Sequence, residues 1–300
     1  MDSRLNRDYS EKMLHLGLPS GSLEQTTFSL FTKAGYKFSK NGRSYYPSTD
    51  DDELEAILLR PQEIASYVDK GIFDAGITGE DWILESEADI LEVVELVYSK
   101  QSMKPVKWVV AVPVNSEIKK LEDLEGKQIA TELVNITRKY LNENSISASV
   151  EFSWGATEVK VPILVDAIVE AIETGRSLKE NNLRIVDTIL MSTPRLIANK
   201  ESYKNPWKKE KIDRIAMLMQ GALNAYELVG LKFNLPRLKV ETVRKIVPAM
   251  KEPTISSLLD EDWVALEIII KEKIVSKIIP ELKKEGARDI IEYPLNKVVY

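Results

Sequence analysis

The strongest constraint on this chain is a repeated exchange between apolar runs of strand length and amphipathic stretches of helix length, with Gly, Pro or Asp marking the changeovers. Strands spaced by helices can pair side by side and be covered on both faces, so the pattern predicts an α/β fold. Leu14–Leu18 reads as a first strand, and Pro19-Ser20-Gly21-Ser22 leads into a helix from Leu23. Leu54–Leu59 is a further strand, followed by Arg60-Pro61-Gln62-Glu63 and a helix through Tyr67. Phe73–Gly79 is a strand ending in glycine, and Glu80-Asp81-Trp82 opens the next helix. Trp108–Pro113 leaves this lobe for a second one, built from strands Gln128–Thr131, Ser149–Phe152 and Asp166–Ile172 and a helix over Asn135–Asn142. Thr188–Met191, continued by Arg195–Ala198, crosses back, so two lobes enclose a cleft. A short echo links Asp74-Ala75 through Thr78-Gly79 with Asp166-Ala167 through Thr174-Gly175. Lobes of one topology would produce it, with both Thr-Gly turns facing the cleft.

The tail is a different unit. From Tyr226 the order is strand (Tyr226–Asn234), helix (Leu238–Val247), strand (Thr254–Leu258), strand (Val264–Ile270), helix (Ile274–Lys284), strand (Asp289–Tyr293). That βαββαβ order is the ferredoxin-like split motif. The segment Ala265–Ile270 is too apolar for an edge and should be central, and Pro280 should kink or restart the last helix. The expected domains are residues 1–108 with 189–222 for the first lobe, 109–188 for the second, and 223–300 for the tail.

Composition removes much chemistry. The 300 residues include no Cys and one His, His15. Thiol nucleophiles, disulfides, cysteine-ligated zinc, multi-histidine metal sites and HExxH proteases are excluded. The work must fall to carboxylates, Lys/Arg, hydroxyls and backbone N–H groups. The first residues are too polar for a signal peptide, and no apolar run approaches the ~18 residues that span a bilayer. Lys+Arg 41 against Asp+Glu 47 gives a net charge of −6. That argues against general binding to nucleic acid or an anionic membrane, and a cytoplasmic enzyme or binding protein is expected.

The segment most suggestive of chemistry is Asp166–Leu178, where a strand runs into Thr174-Gly175-Arg176-Ser177 and a polar helical stretch. Glycine lets a ligand approach the backbone, and free N–H groups at a helix start attract anions. Arg176 adds a fork of donors, and Thr174 and Ser177 add hydroxyls. Glu170 and Glu173 precede this turn and would repel phosphate unless they hold sugar hydroxyls or Mg²⁺. On pattern alone it could equally be a plain strand–helix turn with a surface Arg. Ser20-Gly21-Ser22 could be a second phosphate loop or only a turn. The Asp50–Glu53 run could bind a metal but reads better as a solvated face. His15 reads as a core residue, and Trp82 and Trp154 as packing residues.

Taken together, Leu18–Leu23, Arg60–Ile64, Gly71–Trp82, Lys127–Glu132, Gly155–Val159 and Asp166–Leu178 resemble the long-form ATP phosphoribosyltransferases, in order and over nearly the whole chain from Leu14. The tail, with Lys251-Glu252-Pro253-Thr254-Ile255, resembles that family's regulatory domain. The resemblance implies a bilobal, type II periplasmic-binding-protein-like core with a C-terminal ferredoxin-like (ACT-like) domain. It implies transfer of the 5-phosphoribosyl group from phosphoribosyl pyrophosphate to N1 of ATP, with Mg²⁺ as cofactor, feedback inhibition by L-histidine and assembly as homodimers and homohexamers. By the same resemblance Glu170, Glu173, Thr174, Gly175, Arg176, Ser177 and Leu178 would bind phosphoribosyl pyrophosphate. Ser20, Gly21, Ser22, Arg60, Thr78 and Gly79 would face ATP. Asp74 and Glu170 would be catalytic and hold Mg²⁺, and Pro253, Thr254 and Ile255 would meet histidine. Anionic substrates imply a locally positive cleft. The alternatives are a non-catalytic small-molecule-binding regulator of the same fold and a prephenate dehydratase-like enzyme, whose expected Thr-Arg-Phe motif the chain lacks.

Overall fold

The computed structural model describes residues 12–99, 103–247 and 252–300. The described residues up to Thr32, with Tyr36–Ala216, form one compact unit, and Lys33–Gly35 with Met217–Tyr300 form another.

In the first unit, β1 (Leu14–Pro19) is followed by α1 (Glu24–Ala34), a ribbon of β2 (Phe38–Ser39) and β3 (Ser48–Thr49), and β4 (Leu54–Leu59). Then come α2 (Pro61–Asp69), β5 (Ala75–Gly79), α3 (Glu80–Ser86) and β6 (Leu91–Glu95). The chain enters the second lobe through β7 (Val106–Pro113), β8 (Gln128–Thr131), α4 (Val134–Glu143), β9 (Ser149–Phe152), β10 (Ala167–Ile172), α5 (Arg176–Glu180) and β11 (Leu183–Ser192). It returns through β12 (Pro194–Ala198) and α6 (Pro206–Asn224). The first sheet has the order β4-β1-β5-β12-β6 and the second β11-β7-β10-β8-β9. In each, the first strand of the lobe lies between the second and third, and a strand from the far side of the crossing comes next. The two sheets therefore share one topology, as expected for a periplasmic-binding-protein-like core.

Burial follows position. Every residue of β1, paired on both sides, is buried, whereas the edge strand β4 alternates buried residues with exposed or half-buried ones. The β7 core, Trp108–Val112, is buried throughout. The crossings lie slightly outside the expected limits of 109 and 188, because β11 stays paired with β7 as far as Ser192–Val106. Only Thr193 separates β11 from β12.

The echo between the lobes is structural. β5 and β10 are the third strands of their sheets, and the aspartate before each makes the same contacts. Asp74 accepts from the His15 N–H at 2.9 Å, and Asp166 accepts from the Gln128 N–H at 2.9 Å. Their own N–H groups reach the His15 and Gln128 carbonyls at 2.9 and 3.0 Å.

The second unit comprises β13 (Leu228–Pro236), α7 (Val240–Ile246), β14 (Thr254–Ser257), β15 (Trp263–Lys271), α8 (Glu272–Lys284) and β16 (Arg288–Pro294), in an antiparallel sheet ordered β14-β15-β13-β16. That is the ferredoxin-like order, with β15 central as its apolar sequence required. Leu231, Phe233, Leu266, Ile268 and Leu282 are among its core. Helix α8 runs unbroken across Pro280, contrary to the expected restart. Proline removes one N–H, but Pro280 and Ser276, whose carbonyl loses its partner, are both exposed, so water can satisfy that carbonyl. The division between units falls within α6 rather than near its end. Its first half anchors Lys211, Ile212 and Ile215 in the first unit, while the Gly221 carbonyl accepts from the Val298 N–H in the second.

Among the described residues no helix is long and apolar enough to cross a membrane.

Candidate active site

In the first lobe the carboxyl ends of three parallel strands supply the cleft wall, which is where α/β sheets bind ligands. β1 ends in the Ser20-Gly21-Ser22 turn, whose Ser20 N–H is tied to the Leu59 carbonyl at 2.7 Å. β4 ends at Arg60, the N-cap residue of α2, and β5 ends at Gly79, that of α3. The second lobe contributes Glu170 from β10 and Glu132 from the turn after β8. These elements enclose a cavity of about 480 Å³ that brings together Ser20, Gly21, Ser22, Arg60, Gly79 and Glu170.

Glu170 is half-buried. Its carboxylate accepts a short hydrogen bond from the Thr157 hydroxyl and one from the Ala171 N–H at 3.2 Å. Burial pushes its carboxyl up, the Thr157 hydroxyl opposes this, and the nearby Glu158 and Glu132 charges add to the rise. Glu158 in turn accepts from the Ser177 hydroxyl.

Asp81, whose place in the sequence marks it only as a helix opener, is a buried carboxylate on the same cavity wall. It accepts from the Trp108 indole N–H at 2.6 Å and the Trp82 N–H at 3.0 Å, and its own N–H reaches the Ser192 hydroxyl. Burial pushes its carboxyl up. Gly79 is required by this arrangement, because a Cβ there would lie 2.0 Å from Asp81 Oδ1.

Several expected site residues stand elsewhere. Asp74 does not line the cleft; it lies at the start of β5, the end of the sheet opposite Gly79. One carboxylate oxygen accepts from the His15 N–H and ring nitrogen, the other from the Ser202 hydroxyl and Lys208 ammonium, both at 2.6 Å. Burial pushes this carboxyl up, but these hydrogen bonds outweigh it and hold it well below the usual carboxylate range. Its oxygens are committed to holding β1, β5 and α6 together, so the expected catalytic and metal-binding role is corrected to a structural one. Thr78 is fully buried and donates to the Pro61 carbonyl at 2.6 Å, fixing the start of α2 rather than facing ATP.

The Thr174–Leu178 turn lies beyond the end of β10, outside the residues that line the cavity. Gly175 has a left-handed φ of 71°, and Arg176 begins the five-residue α5. The Arg176 side chain is 82% exposed and paired with Glu180. Leu178 is a core residue. Glu173 turns back toward the cavity, accepting from the Ser99 hydroxyl at 2.6 Å. Asp51 and Glu53 do not form a free solvated face, since both grip the buried Lys211 ammonium at 2.7 Å. His15 is the satisfied core residue expected. In the tail, Pro253, Thr254 and Ile255 sit at the edge strand, and Lys251 lies outside the described residues. Thr254 is opposite Glu267, which accepts from the Tyr293 hydroxyl. The Tyr293 ring lies across Gly230, where a Cβ would collide with it at 2.1 Å.

A second chamber of about 660 Å³ adjoins the first, and both are lined by Arg60, Gln62, Trp82 and Glu132. Gln62 donates to Glu132 at 3.1 Å, bridging the lobes at this common wall. Trp82 packs edge-on against Trp108, as expected of a packing residue. Trp154, expected to pack, instead stands 86% exposed at the second chamber. Among the described residues the first chamber's walls carry one cation, Arg60, against Asp81, Glu132 and Glu170. The positive charge expected of the cleft is not found on these described walls. Among the described residues no cluster of three or more His, Cys, Asp or Glu could hold a metal by itself.

Two family models match the chain: ATP phosphoribosyltransferase over residues 60–221 and the HisG C-terminal domain over residues 225–297. Curated proteins named ATP phosphoribosyltransferase include one from Chlorobium luteolum, 60% identical over 290 residues, covering 97% of this chain and 99% of that protein. One from Chlorobium chlorochromatii is 59% identical over 288 residues, covering 96% of this chain and 98% of that protein. The solved ATP phosphoribosyl transferase (HisG:HisZ) complex from Thermotoga maritima contains a chain that superposes with a TM-score of 0.59 at 26% identity, covering 69% of this chain and 99% of that one.

Proposed function

The chain belongs to the ATP phosphoribosyltransferase family, and from that premise we propose how its cleft carries out the transfer. The reaction moves the 5-phosphoribosyl group of phosphoribosyl pyrophosphate to N1 of ATP and releases pyrophosphate, opening histidine biosynthesis. A bond forms between N1 and the anomeric carbon as the bond to the pyrophosphate oxygen breaks, with positive charge developing on the sugar. The adenine N1 already carries a lone pair, so positioning and charge stabilisation supply the catalysis. The assignment rests on the convergence of Glu170, Arg60 and the Ser20–Ser22 turn on one cavity.

In this reading Glu170 receives ribose hydroxyls and offsets charge at the anomeric carbon. The Glu173–Leu178 turn holds the 5′-phosphate through backbone N–H groups and the Thr174 and Ser177 hydroxyls, with Leu178 anchoring it in the core. Arg176 is free to swing from its exposed partner Glu180 to the phosphate. Arg60, the Ser20–Ser22 turn and the Gly79 backbone face the polyphosphates. Mg²⁺ fits a cleft where carboxylates outnumber cations: it keeps several waters, needs only one or two carboxylates beside substrate phosphates, and Glu170 is the donor in reach. When bound it neutralises charge on the departing pyrophosphate. The tail gives feedback inhibition by L-histidine near Pro253, Thr254 and Ile255, where Glu267 suits an ammonium. The enzyme is cytoplasmic and assembles as homodimers or homohexamers. Two lobes joined through the crossing strands β7 and β11, and the tail from Met217, divide the labour between catalysis and regulation.

The test is to incubate the full chain with ATP, phosphoribosyl pyrophosphate and Mg²⁺, follow pyrophosphate release, and add L-histidine. Release that histidine suppresses is expected. Folded protein that releases none overturns the catalytic reading, and release indifferent to histidine overturns the regulatory one.

A further inference from the structure

Beyond β16, the residues Lys297–Val299 are each tied to the end of a helix. The Lys297 ammonium donates to the Lys33 carbonyl at 2.9 Å, in the last turn of α1. A cation there satisfies a carbonyl that the helix leaves open and complements its dipole. The Val298 N–H donates to the Gly221 carbonyl at 2.8 Å, and the Val298 carbonyl accepts from the Asn224 side-chain amide at 3.2 Å, both in the last turn of α6. Val299 lies so near that a Cβ on Gly221 would meet its Cγ2 at 3.0 Å. The Lys33 ammonium also lies over the Tyr226 ring, 5.4 Å from its centroid, just beyond α6. These few residues thus fasten the last turn of α1 to the last turn of α6.

Both helices run from the second unit into the first: α1 divides at Lys33 and α6 at Met217. They are held very differently there. Lys208 and Lys211 lock the first half of α6 to Asp74, Asp51 and Glu53, so it is an anchor. α1 instead follows directly on the Gly21–Leu23 turn, and Ser20–Leu23 line the first chamber. Its 11 residues span about 16 Å and move as one rod, so a shift of its last turn reaches the cavity wall at its start. We propose that Lys297–Val299 is the clasp through which the tail acts on the substrate cavity, with α1 as the lever and Ser20–Leu23 as the end it repositions. This rests on the regulatory reading above and adds how the signal leaves the tail. β14, which carries Thr254, and β16, which leads into the clasp, are the two edges of one sheet, so a change of twist at one edge is felt at the other.

The experiment compares the full-length enzyme with its Lys297→Met, Lys297→Arg and Gly221→Leu variants. Lys297 is exposed, so its variants should fold, while Gly221→Leu puts a side chain where Val299 lies and displaces the whole clasp. Without histidine, kcat and both KM values should stay near wild type. In Lys297→Met and Gly221→Leu the residual rate at saturating L-histidine should rise about fivefold or more, the scale of an allosteric coupling. Equilibrium dialysis should still find histidine bound. Lys297→Arg keeps the cation and should be inhibited like the wild type. Hydrogen exchange needs no effector: the Ser20 amide, held to the Leu59 carbonyl at 2.7 Å, should exchange about tenfold faster in both clasp variants. Variants inhibited like the wild type overturn the clasp. So does histidine binding that is lost together with inhibition, since that marks a merely structural role. A wild type that histidine leaves uninhibited strikes the regulatory reading instead, and exchange at Ser20 still decides whether the clasp reaches the cavity.

Discussion

At Glu170, burial and two neighbouring carboxylates push proton affinity in one direction and the Thr157 hydroxyl in the other, with burial the largest influence. A carboxyl whose folded-state pKa is raised favours the fold fully below its unfolded pKa and loses that contribution as pH rises through the folded value. Glu170→Gln is therefore expected to unfold at a higher temperature than wild type near neutral pH, and at an equal one near about pH 4. Its kcat/KM for phosphoribosyl pyrophosphate should fall about a hundredfold. The acid limb of the wild-type rate profile should lie above ordinary carboxylate titration and move to lower pH in Glu158→Gln. A Glu170→Gln protein less stable than wild type at neutral pH would refute this account. Residue identity alone misleads at Asp74, where an aspartate in the strongest motif of the first lobe serves β1 and α6. Its counterpart Asp166 holds β8 in the same way, so the echo itself carries the structural answer. Asp81 escaped notice because nothing in the sequence tells a buried carboxylate from a helix-opening one. Only the fold brings Trp108 to it.

Among the elements, α4 has an unusual start. Leu133 at its N-cap offers no side-chain acceptor; Glu85, on α3 of the opposite lobe, supplies the acceptor to the Asn135 and Ile136 N–H groups at 2.9 and 3.0 Å. The contact caps a helix and ties two lobes at once. Losing it in Glu85→Ala should lower the melting temperature by about 2–4 °C, since a cap is worth ~1 kcal/mol in a domain of this size. An unchanged melting curve would show that the cap is idle. Most elements were legible because hydrophobic period and turn chemistry agree: β9 spans the very residues its pattern indicates, and all six tail elements appear in order. β6 was not legible. Leu91-Glu92-Val93-Val94-Glu95 is an edge strand, and the carboxylates that pair with Arg195 break its apolar run. The β2–β3 ribbon is too short to have a period. Five of the expected site residues, Ser20, Gly21, Ser22, Arg60 and Gly79, share the first chamber because they end or follow parallel strands, a rule that sequence order expresses. The second chamber depends on how a turn in one lobe meets a helix in the other, which no local pattern encodes.

For the molecule as a whole, the tail carries its own core and places Thr254 across from Glu267 on an exposed strand. Removing that hydroxyl in Thr254→Ala should raise the histidine concentration for half-inhibition about tenfold, the scale of one lost hydrogen bond to a charged ligand. Inhibition curves that superimpose would rule the strand out as effector contact. The net charge of −6 and the acidic walls of the cleft favour substrates that arrive already paired with cations. The wall common to both chambers has a kinetic consequence. Two substrates can enter separately, one to each side of the Gln62–Glu132 bridge. The bridge joins the two lobes, so any opening of the cleft between them has to break it.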